Sequence, residues 1–162
     1  MAVLQTSVNP QSTRIMKSCR ELVDLEWARL VDPPSLYKKA PKLKGVKAKG
    51  RTYERTVGRR LKDRCVSGEL PAQLVSGQWF NFCDANGYGY CQTDYYLICE
   101  GFIVLIECKL TQTDFAETQM RKLYEPILRK VYGLPVVVVQ VFKNIRYHPA
   151  AQIKDILDAI EY

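Results

Sequence analysis

Two acids and a lysine, Asp94, Glu107 and Lys109, stand where a β-hairpin would gather them. Tyr90–Ile98 and Phe102–Leu110 are rich in β-branched and aromatic residues, and only Cys99, Glu100 and Gly101 separate them, which predicts two paired strands. With Glu100-Gly101 as a two-residue turn, Cys99 pairs with Phe102, and counting back places Asp94 opposite Glu107. Cross-strand partners on one face have Cβ atoms about 4.5–5.5 Å apart. Lys109, two residues beyond Glu107, projects from that same face. A three-residue loop with a bulge would instead slip the register by one and turn Asp94 away.

Two carboxylates facing each other repel, and their neighbours Leu97, Ile103, Val104, Leu105 and Ile106 predict a central, buried sheet. Two readings relieve the repulsion. In one, Lys109 balances both acids as a structural ion cluster. In the other, a hard divalent cation sits between them, taking carboxylate oxygens together with water and phosphate oxygens. Lys109 would then position or help deprotonate the attacking water, or offset charge building on a phosphate.

The elements around the hairpin follow from hydrophobic period and turn residues. Ile15, Cys19, Leu22, Val23, Trp27 and Leu30 recur at helical spacing, so an amphipathic helix is expected from Ser12 to Leu30, ended by Pro33-Pro34. A basic linker, Tyr37 to Gly50, follows. A second helix is expected from Thr52 to Cys65 with Tyr53, Val57, Leu61 and Cys65 on one stripe and Glu54 in its first turn. Gln78–Cys83 reads as an aromatic strand, Asp84–Gly89 as a turn, and Thr113 or Asp114 as the cap of a third helix. Phe115, Met120, Leu123, Tyr124, Ile127, Leu128 and Val131 form its apolar face, and Pro126 is expected to kink it. Val136–Phe142 reads as a strand buried on both faces, and a last helix is expected from Ala150 to Ile160. Antiparallel strands followed by a strand–helix–strand crossover predict an α/β fold, with a mixed central β-sheet flanked by helices.

Charge is concentrated. Residues 38–64 hold 12 of the 24 Lys and Arg but only two of the 17 acids, so this segment carries +10 while the rest of the chain carries −3. Such a block either neutralises phosphates with release of counterions or is a solvated basic face. On the first reading Lys42, Lys44, Lys47, Lys49, Arg51, Arg55 and Arg59 grip a nucleic acid. Tyr88, Tyr90, Tyr95 and Tyr96 either stack on unpaired bases or fill the core. The six cysteines form no CxxC pair, and the single histidine, His148, has no acidic neighbour and reads as a surface or capping residue. Cys83, Cys91, Cys99 and Cys108 therefore read as thiols in a reducing, cytoplasmic setting rather than as metal–sulfur ligands. No signal peptide and no apolar run long enough to span a bilayer is present, so no membrane partner is expected.

The segment Gln92-Thr93-Asp94-Tyr95-Tyr96-Leu97-Ile98, followed by Val104-Leu105-Ile106-Glu107-Cys108-Lys109, resembles the core signature of the PD-(D/E)xK nuclease superfamily. That signature is an acid on one strand, then an acid-x-Lys triplet on the next after an apolar run. The resemblance covers residues 52–142, in the order helix, three strands, helix, strand, with Thr93 standing where the family has a proline. It implies a restriction-endonuclease-like αβββαβ core over residues 51–162, preceded by the helix and basic linker of residues 1–50. It implies Mg²⁺ or Mn²⁺ held by Asp94, Glu107 and the backbone carbonyl of Cys108, with Lys109 assisting the water.

The resemblance also implies a helix acid at Glu54, as in the phage-type junction-resolving branch; the alternative is an ordinary first-turn Glu favoured by the helix dipole. RecB-like members place a Gln on the following helix with a Tyr four residues on. Gln119 is the matching candidate here, with Tyr124 five residues on. Thr111 and Gln112, just after the Lys109 strand, are candidate phosphate contacts. The implied activity is metal-dependent cleavage of DNA chosen by shape (branches, flaps or ends). A homodimer would form through the N-terminal helix, and the setting suits a virus or mobile element. The alternative is a non-catalytic nucleic-acid-binding protein on a nuclease-like fold. A restriction-type enzyme would instead cut at a fixed sequence.

Overall fold

The computed structural model describes residues 21–35, 42–111, 114–143 and 153–154. Among the described residues, seven strands and three α-helical segments, the pair Ile153–Lys154 apart, make an α/β fold with two sheets. Strand β1 is Trp27–Val31, helix α1 Gly45–Ser67, and strands β2 to β6 are Gln73–Ser76, Trp79–Asp84, Gly87–Gln92, Tyr95–Ile98 and Ile103–Lys109. Helix α2, Asp114–Gln119, passes through a π-helical turn at Met120–Tyr124 into α3, Glu125–Tyr132, and strand β7 is Val136–Phe142.

The four-stranded sheet has the order β2-β5-β6-β7, with β5 antiparallel to β6 and β7 parallel to it. Alternate residues of β5 and β6 serve two cores. Tyr95, Leu97, Val104, Ile106 and Cys108 pack against Tyr53, Val57 and Leu61 of α1. Tyr96, Ile103 and Leu105 face the other way, onto Met120, Leu123, Ile127 and Leu128. The period of two along each strand is what lets one sheet close both cores. The three-stranded sheet, β1-β3-β4, adds Phe80, Phe82 and Cys91 to the second core.

Several expectations from the sequence need correction. Trp27–Val31 is a strand, not the end of a Ser12–Leu30 helix. Its residues fit a period of two as well as 3.6, and pairing with β3 satisfies backbone groups that an edge strand leaves bare. Residues 12–20 lie outside the described residues. Helix α1 begins at Gly45, inside the expected linker, because Val46-Lys47-Ala48-Lys49 are mostly good helix formers that carry Gly50 along. Glu54 is therefore in the third turn, not the first, and the dipole explanation for it falls away. The expected strand Tyr90–Ile98 is two strands in different sheets, broken at Thr93-Asp94, and β2 adds an unforeseen strand after Pro71.

Phe115 is exposed (53%) rather than part of the apolar face. The widened turn at Met120–Tyr124, with the Glu125 N–H bonded to the Met120 carbonyl, directly precedes Pro126, where an ordinary turn would meet the proline ring. β7 lies at one end of its sheet, and its residues vary between buried and half-buried instead of being buried on both faces. Of the expected Ala150–Ile160 helix only Ile153 and Lys154 are described, both helical.

Candidate active site

The hairpin register is the expected one. Tyr95 pairs with Ile106 and Ile98 with Ile103, the Cys99 N–H bonds the Phe102 carbonyl, and Gly101 takes the left-handed conformation (φ 82°) that a non-glycine residue would resist. Continuing the pairing one step puts Asp94 across from Glu107. Asp94 sits where the chain leaves one sheet for the other, and its carboxylate turns inward. Oδ2 accepts the Cys108 N–H at 3.0 Å, in place of a backbone partner that β5 no longer supplies. In a strand, the N–H and C=O of one residue point to the same side, so the Cys108 carbonyl also faces the edge that Asp94 caps.

Glu107 is 4% exposed. Its Oε1 accepts from Lys109 Nζ at 2.6 Å, while Oε2 is buried and has no hydrogen-bond partner. At the ~5 Å spacing of cross-strand partners and an effective dielectric near 20, two carboxylates repel by about 3 kcal/mol. A single half-exposed lysine touching only one oxygen leaves most of that uncompensated.

Glu54 reaches this cluster from α1. Helix α1 packs onto β5 closely: Gly58 lies under the Tyr95 ring, where an added Cβ would stand 2.3 Å from the hydroxyl oxygen. The Tyr95 hydroxyl donates to the Glu54 backbone carbonyl at 3.0 Å. That close approach holds the third acid within electrostatic range of the other two. Burial, then repulsion from Asp94, pushes the Glu54 carboxyl up to about 7, against the pull of Arg51, Lys109 and Arg55. Burial and Asp94 likewise push Glu107 up to about 7 despite its bond to Lys109. Asp94 is raised by burial, opposed by the Cys108 N–H and Lys109. Burial alone would lower Lys109, but Glu107 and Asp94 outweigh it and hold the ammonium firmly charged. Three acids thus compete for one lysine in a buried place.

Among the described residues no group of three or more His, Cys, Asp or Glu side chains is arranged to hold a metal ion. The orphaned Oε2 of Glu107 and the inward carboxylate of Asp94 nonetheless fit a hard cation's oxygen donors, and neither has a competing structural role that uses all its lone pairs.

The other candidates are placed unevenly. Gln119 ends α2, half-buried, and among the described residues makes no hydrogen bond or ion pair to the carboxylates. Thr111 is exposed, and Gln112 and His148 lie outside the described residues. Lys42, Lys44, Lys47, Lys49, Arg51, Arg55 and Arg59 are all exposed along α1 and its approach. Two open grooves border that helix. One, about 540 Å³, is lined by Lys49, Thr52, Thr56, Arg60 and Lys143, and the other, about 390 Å³, by Thr52, Arg55, Thr56 and Arg59.

Two residues near the site were given no site role from the sequence. Gln140 stands in register beside Glu107 on β7; the signal was one polar residue in an otherwise apolar run of seven. Thr93, next to Asp94, is 1% exposed with its hydroxyl unpaired, and nothing in its spacing announces that. Among the described residues, Cys65, Cys83, Cys91, Cys99 and Cys108 form no disulfide. No helix among the described residues is long and apolar enough to cross a membrane.

Comparison with protein-family models, with curated proteins and with solved structures finds no match.

Proposed function

We propose that this chain is a metal-dependent deoxyribonuclease of the PD-(D/E)xK class, with a restriction-endonuclease-like arrangement of α1, β5, β6, α2–α3 and β7. The observation that carries the reading is the buried Asp94–Glu107 pair, with Glu54 beside it and, among the described residues, Lys109 as the one cation in contact with it. A structural ion cluster would balance its charges, and this one leaves Glu107 Oε2 buried without a partner.

Asp94, Glu107 and the Cys108 carbonyl would hold Mg²⁺ or Mn²⁺, which when bound supplies Lewis-acid polarisation of a phosphate and an acidified water. Lys109 orients that water and offsets charge on the phosphate. Glu54, drawn to a pKa near neutrality, is suited to exchange a proton at the site's edge. The exposed cations of α1 grip the backbone of DNA in a sequence-independent way, which supports selection by shape rather than by base sequence. A compact nuclease of this kind suits a reducing, intracellular setting and a virus or mobile element.

The test is a cleavage panel of four-way junction, flap, single strand and linear duplex, each with and without Mn²⁺. Cutting that needs the metal, and that Glu107→Ala and Lys109→Ala abolish while DNA binding survives, is the expected result. Binding without cutting on every substrate would make the chain a nucleic-acid-binding protein instead, and discrete fragments from long DNA would make it a restriction-type enzyme. Light scattering on the same preparation decides whether it is a dimer.

A further inference from the structure

We infer that the outer face of the three-stranded sheet is a stacking platform for single-stranded DNA that leads to the candidate active site. The register fixes which side chains share that face. Trp27 pairs with Cys83 and Cys83 with Tyr88; Arg29 pairs with Asn81 and Asn81 with Tyr90; Val31 pairs with Trp79 and Trp79 with Gln92. The opposite face, with Ala28, Phe80, Phe82 and Cys91, is committed to the core. The outward set holds four aromatic residues, one arginine and no acid, which is charge-complementary to a phosphate backbone and not to a basic partner such as a second copy of this +7 chain.

The side chains are arranged as a stacking surface. Trp27 and Tyr88 stand with ring centroids 5.9 Å apart at 50°, and the Arg29 guanidinium lies 5.2 Å from the Trp27 ring centroid. Asn81 holds Arg29 in place, accepting from its Nη2 at 3.3 Å while donating to the Gly89 carbonyl at 3.0 Å. Tyr88 is 50% exposed, Arg29 is exposed, and Trp27, Trp79 and Tyr90 are half-buried. A sheet face that presents aromatic rings and a guanidinium plane to solvent takes unpaired bases by stacking, with little regard to their identity. The bases of a duplex are already stacked and cannot use it.

Position gives the platform its purpose. β4 runs through Thr93 directly into Asp94, and the Gly77 N–H bonds the Asp94 carbonyl at 2.9 Å, tying the β2–β3 connection to the same point. From Tyr90 to Asp94 is four residues, at most about 13 Å of extended chain. The inference deepens the nuclease reading, on which it rests for its purpose, by naming a substrate with an unpaired arm, such as a flap or a frayed end.

The chain has two tryptophans, Trp27 and Trp79, and both are on this face, so selectively excited tryptophan fluorescence reports it. Full-length protein in EDTA is titrated with an oligothymidylate of about 16 nucleotides, enough to span such a site, and with a blunt duplex of equal length. Saturating quenching by the single strand is expected, with little quenching by the duplex, whose binding is followed by gel shift. Tyr88→Ala and Arg29→Ala should each weaken single-strand binding about tenfold and leave duplex binding within about twofold, at unchanged circular dichroism, whereas Tyr88→Phe keeps it. Equal response to both DNAs, no quenching, or a folded Tyr88→Ala that binds as wild type overturns the inference. A dimer that Tyr88→Ala dissociates, without quenching by oligothymidylate, also overturns it and assigns the face to a second copy. Glu107→Ala is expected to quench as wild type. Loss of cleavage with quenching intact therefore tests the nuclease reading separately, and the converse result removes the platform while leaving the nuclease.

Discussion

The two sheets solve opposite problems with the same building block. The four-stranded sheet is covered on both sides, by α1 on one and by α2–α3 on the other, and admits charge at one end, where Asp94, Glu107 and Lys109 cluster. Among the described residues, the three-stranded sheet is covered on one side and carries aromatic rings and an arginine on the other. Burial makes the difference chemical. The surface pairs Arg121–Glu117 and Arg129–Glu125, at 2.9 and 2.7 Å, are nearly as short as the Lys109–Glu107 pair, yet solvent screens them. Glu107, with a lysine at 2.6 Å but buried, still ends with a carboxyl pushed up to about 7. Chemistry is to be expected where a charge is held against its own preference, and recognition where surface is left open.

The sharpest way to break this contrast is to mutate one residue in each sheet and measure the same reaction. Glu107→Ala is expected to lower kcat on any duplex substrate by at least 10²-fold, as loss of a group that acts on the transition state does. Tyr88→Ala should leave kcat on a fully paired duplex within about twofold, because a paired base has no use for the ring that is removed. If the two variants lose duplex cleavage alike, the sheets do not divide labour in this way.

A second pair compares the two places where glycine lets an aromatic ring close in. An added Cβ at Gly58 would lie 2.3 Å from the Tyr95 hydroxyl, and one at Gly89 would lie 2.4 Å from the Phe82 ring. Both rings are buried, so Gly58→Ala and Gly89→Ala should each destabilise by about 1–3 kcal/mol, read as a lower urea midpoint. Only Gly58→Ala moves the helix that carries Glu54 against the strand that leads from Asp94. Its cleavage rate should fall at least tenfold under conditions where both variants are fully folded, a loss Gly89→Ala does not share.

How much of this could be read in advance divides along the same line. The hairpin was legible because its register depends on a two-residue turn and a period of two, both local. The α1 stripe of Tyr53, Val57 and Leu61 was legible for the equivalent helical reason. The three-stranded sheet was not. Trp27–Val31 carries both periods, and what decides between them is the waiting edge of β3, more than 45 residues away. The break at Thr93-Asp94 was also hidden, since a strand that crosses from one sheet to another keeps its alternation and its β-branched and aromatic composition throughout. Glu54 was expected in a first helical turn, and that expectation fails: the helix starts nine residues before it, a length that depends on Val46–Lys49 joining a helix whose anchor lies further on. For Gln119 the sequence suggested a site role, and among the described residues it makes no hydrogen bond or ion pair to the acids.

Smaller effects sharpen the electrostatic side of the comparison. Glu107 has a folded pKa near 7 against 4.5 ordinarily, so between those values the folded protein binds more protons than the unfolded chain. Stability is then fully present below about 4.5 and declines as pH rises towards 7. Glu54 adds to the same trend, discounted for its partial exposure. Without divalent metal, thermal melts should show Tm falling across this window. At pH 8 Glu107→Gln should melt roughly 2–6 °C above wild type, since it removes a buried charge and keeps the shape. Millimolar Mg²⁺ should raise the wild-type Tm at pH 8 and leave Glu107→Gln nearly unmoved. A Tm that rises from pH 4.5 to 7 would mean that Lys109 satisfies the acids and that the cluster is structural.

The smallest effect concerns the outside of α1, where the cations are exposed and equivalent. Arg55 and Arg59 border one groove with Thr52 and Thr56, and none of these four is more than half-buried. Removing one cation that neutralises a phosphate should lower the slope of log K against log salt by about 0.9 on duplex DNA. Arg55→Ala and Arg59→Ala should therefore each flatten that slope by about one and weaken binding only severalfold at moderate salt, by equal amounts for any base sequence. Arg29→Ala, on the aromatic face, should leave the duplex slope unchanged and act on single strands. A duplex slope that responds to Arg29 and not to Arg55 or Arg59 would reverse the assignment, placing the backbone track on the open sheet and leaving α1 as a solvated helix whose one functional contribution is Glu54.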